Sequence, residues 1–123
     1  MHDTPIPQAA SFSAFDRVAA LRAVDGNEPL LRQVAEVFLN HHTAVCSQID
    51  QAVGDGAHGQ LREIAHDLKG MGASIGAQAL SAAARTLETV AAFGASPDLD
   101  EALAALQREL QQVRAVMSQI ARG

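Results

Sequence analysis

Apolar positions recur at three- and four-residue intervals through most of the chain, the spacing of α-helices that each bury one face. Leu31, Val34, Phe38, Val45, Ile49 and Ala52 predict a helix from about Asn27 to Val53. Leu61, Ile64, Ala65 and Leu68 predict the next, from about Ala57 to Ala73. Leu80, Ala83, Ala84, Leu87, Val90 and Ala91 predict another, from about Ala77 to Phe93. Leu99, Leu103, Leu106, Leu110, Val113, Met117 and Ile120 alternate four and three without a break through the last helix. Ahead of these, Phe12, Phe15, Val18 and Ala19 mark a short helix ending near Val24, with Ser13 and Asp16 resembling its start. The punctuation agrees. Asp25-Gly26-Asn27 is a turn with Pro29 just inside the following helix; Gly54-Asp55-Gly56 and Gly76 are stops; Ser96-Pro97 fits an N-cap followed by a first helical position. Residues 1 to about 10 carry Pro5 and Pro7 without apolar periodicity and are expected to be a flexible lead-in, leaving 11–123 as one domain.

Long helices with one apolar stripe each, joined by short connections, predict an all-α fold: an antiparallel up-down-up-down four-helix bundle with an additional short N-terminal helix. The last stripe would also suit a coiled-coil dimer, but the neighbouring stripes need a common core, which favours the bundle and a monomer. Composition supports the helical reading. Hydrophobic residues make up 48% of the 123, many of them alanine, with no Trp, no Tyr and four Phe. A net charge of −5 argues against nucleic acid and anionic membranes as ligands. No apolar run reaches the roughly 18 residues of a membrane span, and the first residues lack the pattern of a signal peptide. The single cysteine, Cys46, suits a reducing compartment, so a cytoplasmic location is expected. The abundance of alanine and arginine hints at a GC-rich bacterial genome.

The candidate chemistry lies in Ala65-His66-Asp67-Leu68-Lys69-Gly70 and the following Met71-Gly72-Ala73-Ser74-Ile75-Gly76-Ala77. At about 100° per residue, His66 falls on the side of its helix opposite the apolar stripe. Arg62 and Lys69, the latter the only lysine in the chain, flank it one turn back and one turn on. Gly59, Gly70 and Ala73 share its outer strip and have no bulk beyond a methyl, so the imidazole is expected to stand clear. A glycine inside a helix costs roughly 1 kcal/mol against alanine. Gly70 and Gly72 therefore either admit something bulky to His66 or simply cap the helix. Neutral imidazole is a nucleophile near neutral pH, and a nearby ammonium would stabilise the negative charge of a phosphorylated ring.

The stretch AHDLKGMGASIGA resembles the signature of the histidine-containing phosphotransfer domain family, His-x-Leu-Lys-Gly followed by small residues and Gly-Ala. The matching residues are His66, Leu68, Lys69, Gly70, Gly76 and Ala77. Phe15-Asp16, Asp25-Gly26-Asn27, Leu30-Leu31 and Val37-Phe38 fit the family's opening, and Leu80, Ala83 and Leu87-Glu88 its following helix, so the resemblance spans about residues 12–120. Gly72 stands where many members have Ser, and Ser74 where many have Asn; both bear on the hydrogen bonds closing the helix. The resemblance implies a phosphorelay intermediate that accepts a phosphoryl group from a receiver-domain aspartate and passes it to another receiver. It implies His66 as phospho-acceptor, Lys69 as support for the phosphoryl group and Gly70 as the point of close approach. The protein would be a carrier rather than an enzyme and need no cofactor of its own, the Mg²⁺ residing on the receiver. Partners would be response-regulator receivers and possibly a hybrid sensor histidine kinase. Helical geometry offers Arg62, Glu63, Asp67 and Ala73 beside His66, and Leu39 on the preceding helix, as docking residues. The alternatives are an interaction module of the same shape that sequesters a regulator without phosphotransfer, and a helical dimerisation domain using the last helix.

Two further constellations carry less. His41, His42 and Cys46 offer too few ligands for a closed zinc site, and His42 shares the apolar register of Phe38, Val45 and Ile49, so a partly buried, hydrogen-bonded histidine is expected. Ser74 and Ser81 lack the setting of a catalytic serine.

Overall fold

The computed structural model describes residues 15–123, and the lead-in expected over residues 1–10, with Ser13, lies outside them. Five helices account for the described chain: α1 (Arg17–Ala23), α2 (Glu28–Gly54), α3 (His58–Ser74), α4 (Gln78–Ala91) and α5 (Pro97–Arg122). The last four pack in a ring, α2 on α3, α3 on α4, α4 on α5 and α5 back on α2, and α1 lies against α2. This is the expected all-α bundle with an extra short helix.

Each helix begins and ends for a local reason. The Asp16 carboxylate accepts from the Ala19 amide at 2.9 Å, the Asn27 side-chain oxygen from Leu30 at 3.0 Å and the Ser96 hydroxyl from Leu99 at 3.1 Å. These bonds satisfy amides that the first helical turn leaves without carbonyl partners. Helix α3 ends in a Schellman closure. The Ala77 amide reaches back to the Gly72 carbonyl at 2.8 Å and the Gly76 amide to Ala73 at 3.3 Å, with Gly76 left-handed at φ +81°. The glycine that closes the helix is thus Gly76, just past the Ile75 C-cap. Gly70 and Gly72 lie within the helix, so the capping explanation fails for both.

The core is assembled from the predicted stripes, rotated slightly. Ala35, Ala65 and Ala84 are fully buried, whereas Val34, Ile64, Ala83 and Val90 sit half-buried at its margin. Small side chains occupy the closest helix approaches and the branched residues beside them fill the flanks. All seven stripe residues of α5, from Leu99 to Ile120, are buried within the single chain. That stripe is therefore spent inside the bundle, and a dimer seam is not needed to cover it.

The approach that positions the site is between α3 and α4. Gly72 is buried, and a Cβ placed on it would lie 2.9 Å from the Ser81 amide nitrogen and 3.1 Å from the Ala77 carbonyl. The Ser81 hydroxyl donates across the same contact to the Lys69 carbonyl at 2.9 Å. Gly70, two residues away, faces open space. One substitution should therefore act oppositely at the two positions. Gly72→Ala is expected to destabilise the bundle by about 2 kcal/mol through backbone crowding; Gly70→Ala should stabilise it by up to about 1 kcal/mol through helix propensity. Urea unfolding of both variants checks the pair.

Candidate functional site

Helix α3 presents His66 on its outer face, with 63% of its side chain exposed. Across the α3–α4 contact, Glu88 is drawn in to 23% exposure and bridges two residues of the motif. One carboxylate oxygen lies 2.9 Å from His66 Nδ1 and the other accepts from Lys69 Nζ at 2.9 Å. Lys69, half-buried at 30% exposure, is therefore tied to Glu88 and does not project freely beside the imidazole. The hydrogen bond from Lys69, with that from His66, holds the Glu88 carboxyl below the usual carboxylate range.

That ionisation fixes the imidazole's protonation pattern. An ionised carboxylate only accepts hydrogen bonds, so Nδ1 must carry the proton it shares with Glu88. In the neutral ring the lone pair then belongs to Nε2, on the side of the ring away from Glu88. The arrangement makes an oriented nitrogen nucleophile whose opposite face is held by a fixed negative charge.

The expected site residues divide into groups. Arg62, Glu63, Asp67 and His66, with Gly59 and Glu88, line one open hollow. Ala73 belongs to a second hollow with Gln78, Ser81, Ala82 and Arg85. Gly70 is exposed, with nothing near its Cα to obstruct an approaching group. Leu39 on α2 is half-buried and packed against the core, so less of it is open to a partner than its position off the stripe suggested. Glu88 was absent from the expected site, although Leu87-Glu88 matches the family pattern. An acidic residue 22 positions from the histidine carries no local signal of contact with it.

The two serines serve the backbone, Ser74 donating to the Gly70 carbonyl at 3.0 Å and Ser81 to that of Lys69. With Ser74 so engaged and the Gly72 carbonyl closing the helix end, the two departures from the family pattern leave α3 properly terminated. His42 is buried against the Phe38 ring, centroids 5.6 Å apart, with Cys46 Sγ 3.6 Å from its Nε2. Burial, then the nearby Arg114, pushes its pKa below the ordinary histidine value, and burial pushes the Cys46 thiol up. No group of three or more His, Cys, Asp or Glu side chains among the described residues is placed to hold a metal ion.

The described chain is a helical bundle that displays one braced histidine on an outer helix face, beside an open hollow. The sequence model of the Hpt domain family matches residues 33–116, more than half of the chain, and the chain belongs to that family. Its role is therefore histidine phosphotransfer in phosphorelay signalling. The fold is similar to that of the crystal structure of histidine-containing phosphotransfer protein B from Pseudomonas aeruginosa, with a TM-score of 0.76 at 21% identity over 89% of this chain and 95% of that one. No curated protein matches the sequence.

Two measurements follow from the site and its neighbour. The nitrogen-15 shifts of His66 should report the Nδ1–H tautomer in the native protein, and Glu88→Ala should shift the population toward Nε2–H. For His42, a folded pKa below the unfolded one means that the folded state binds fewer protons as pH falls. Stability should then decline between about pH 7 and pH 5, and His42→Leu should flatten that slope in denaturant titrations.

Proposed function

We propose that His66 is the phospho-acceptor of a phosphorelay intermediate, taking a phosphoryl group from the aspartyl phosphate of one receiver domain and delivering it to another. The observation that carries this reading is the exposed imidazole with Nδ1 tied to Glu88, an arrangement in which Nε2 is the ring nitrogen left to act as nucleophile. In the forward step the Nε2 lone pair attacks phosphorus as the bond to the aspartyl oxygen breaks, and that oxygen leaves as carboxylate. The Nδ1 proton stays in place, so the product is a phosphoimidazolium whose positive charge faces Glu88. Onward transfer reverses the same events at a second aspartate, with neutral imidazole as the leaving group. No proton has to be relayed in either direction, which suits a carrier that works both ways.

The chain's contribution is position. In-line transfer rewards a nucleophile held at the right place and angle, and His66 is on a rigid helix and braced from the next. Gly70 gives the incoming surface room to approach. Arg62, Glu63 and Asp67 form the docking margin that shares a hollow with the imidazole, while Ala73 and the exposed part of Leu39 lie outside that hollow. The Mg²⁺ belongs to the receiver in this scheme, and a hybrid sensor kinase is a suitable source of the first receiver. Among the described residues no helix is long and apolar enough to cross a membrane. In this scheme the relay would operate as a cytoplasmic monomer. A sequestering module of the same shape would need neither an oriented imidazole nor a carboxylate to hold its tautomer, and the presence of both favours transfer.

The test uses receivers charged with acetyl phosphate. Transfer to the wild-type chain should produce an acid-labile, base-stable label. His66→Gln should abolish it while leaving the helical circular dichroism and melting temperature nearly unchanged. Continued labelling of that variant would refute the assignment.

A further inference from the structure

The family pattern makes the lysine three residues after the histidine the cation that supports the phosphoryl group. The charges here are arranged differently. Lys69 Nζ lies 2.9 Å from Glu88 Oε1, and its charge is compensated there by a carboxylate that is itself partly shielded from solvent. The open space beside His66 lies elsewhere. The hollow that the imidazole borders is lined by Gly59, Arg62, Glu63, Asp67 and Glu88, and Lys69 is not on its wall. Among the described residues Arg62 is the only Lys or Arg on that wall, and its guanidinium makes no ion pair there. Gly59, on the same wall, adds no side chain to the hollow, and among the described residues a Cβ there would meet only open space.

We propose that Arg62, one helical turn before His66, is the cation that meets the phosphoryl group on Nε2, and that Lys69 acts indirectly by anchoring Glu88. The inference rests on His66 being the phospho-acceptor. The chemistry favours it in two ways. A guanidinium offers a planar fork of donors that matches two phosphoryl oxygens at once, which an ammonium cannot do. Moving Lys69 to the phosphoryl group would also take from Glu88 the hydrogen bond that anchors one of its carboxylate oxygens, and would loosen the Nδ1 hydrogen bond made by the other. The Glu63 and Asp67 carboxylates on the same wall oppose an incoming anion, so Arg62 is the one group there that offsets them.

Phosphoramidate tests this without a receiver. Its phosphorus accepts the Nε2 lone pair, the bond to its own nitrogen breaks and ammonia departs, leaving the phosphoryl group on the ring. Loading of the wild type, Arg62→Gln, Arg62→Lys, Lys69→Gln and His66→Gln is followed by phosphorus-31 NMR, and the phosphohistidine signal is then titrated with pH. Circular dichroism confirms that the variants are folded. Loss of a charge-assisted hydrogen bond in Arg62→Gln should slow loading about tenfold, with partial recovery in Arg62→Lys. The last ionisation of the bound phosphoryl group should rise by about half a unit in Arg62→Gln and stay put in Lys69→Gln. An ionisation that moves in Lys69→Gln and not in Arg62→Gln would overturn the proposal and return the role to the lysine. A wild type that takes no label, or takes the same label in His66→Gln, would instead remove the phospho-acceptor reading beneath it.

Discussion

The site exists because α3 and α4 approach closely enough at Gly72 for backbone to rest on backbone. A methyl group there would stand 2.9 Å from the Ser81 amide, so the contact tolerates no side chain. Ser81 then donates to the Lys69 carbonyl and sets the two helices in register. With that register, Glu88 arrives level with His66 and Lys69 and can bond both. A wider separation would leave a long, solvated glutamate with no reason to choose one rotamer. The close backbone contact at Gly72 and the orientation of the exposed His66 are thus one constraint.

The bridge explains how a surface histidine becomes specific. An isolated imidazole on a helix samples rotamers and both tautomers, and most of those states present no nucleophile in a useful direction. Here one carboxylate selects the proton's position and the ring's orientation together. The carboxylate can do so because it is ionised, and the Lys69 hydrogen bond, with that from His66, holds its pKa lower still. The family relationship and the shared fold account for the scaffold, while the partition of charge around His66 belongs to this chain's own side chains.

Three glycines in seven residues illustrate how little residue type alone conveys. Gly70 borders open space, Gly72 is pressed against α4, and Gly76 adopts φ +81° to end the helix. Gly76 is also crowded from outside, since a Cβ on it would lie 3.0 Å from the Ala19 carbonyl where α1 crosses the α3–α4 turn. The same residue serves access, packing and backbone conformation in turn, and only the surroundings separate the three.

The sequence by itself determined the helices, their stops and most of the core, because these follow from interactions within a few residues. The stripe from Leu99 to Ile120, the Asp16 and Ser96 caps and the outward direction of His66 all rest on helical periodicity and local backbone hydrogen bonding. Its match to the family motif also singled out His66, Lys69 and Gly70 before any contact was visible. What only the tertiary structure decided was pairing across helices. Glu88 joined His66, Lys69 was drawn away from the open hollow, Leu39 settled partly into the core, and Gly72 proved to be a contact and not a cap. These outcomes depend on the rotation and separation of neighbouring helices. Small differences among many side-chain contacts set both quantities, and no pattern along one helix encodes them.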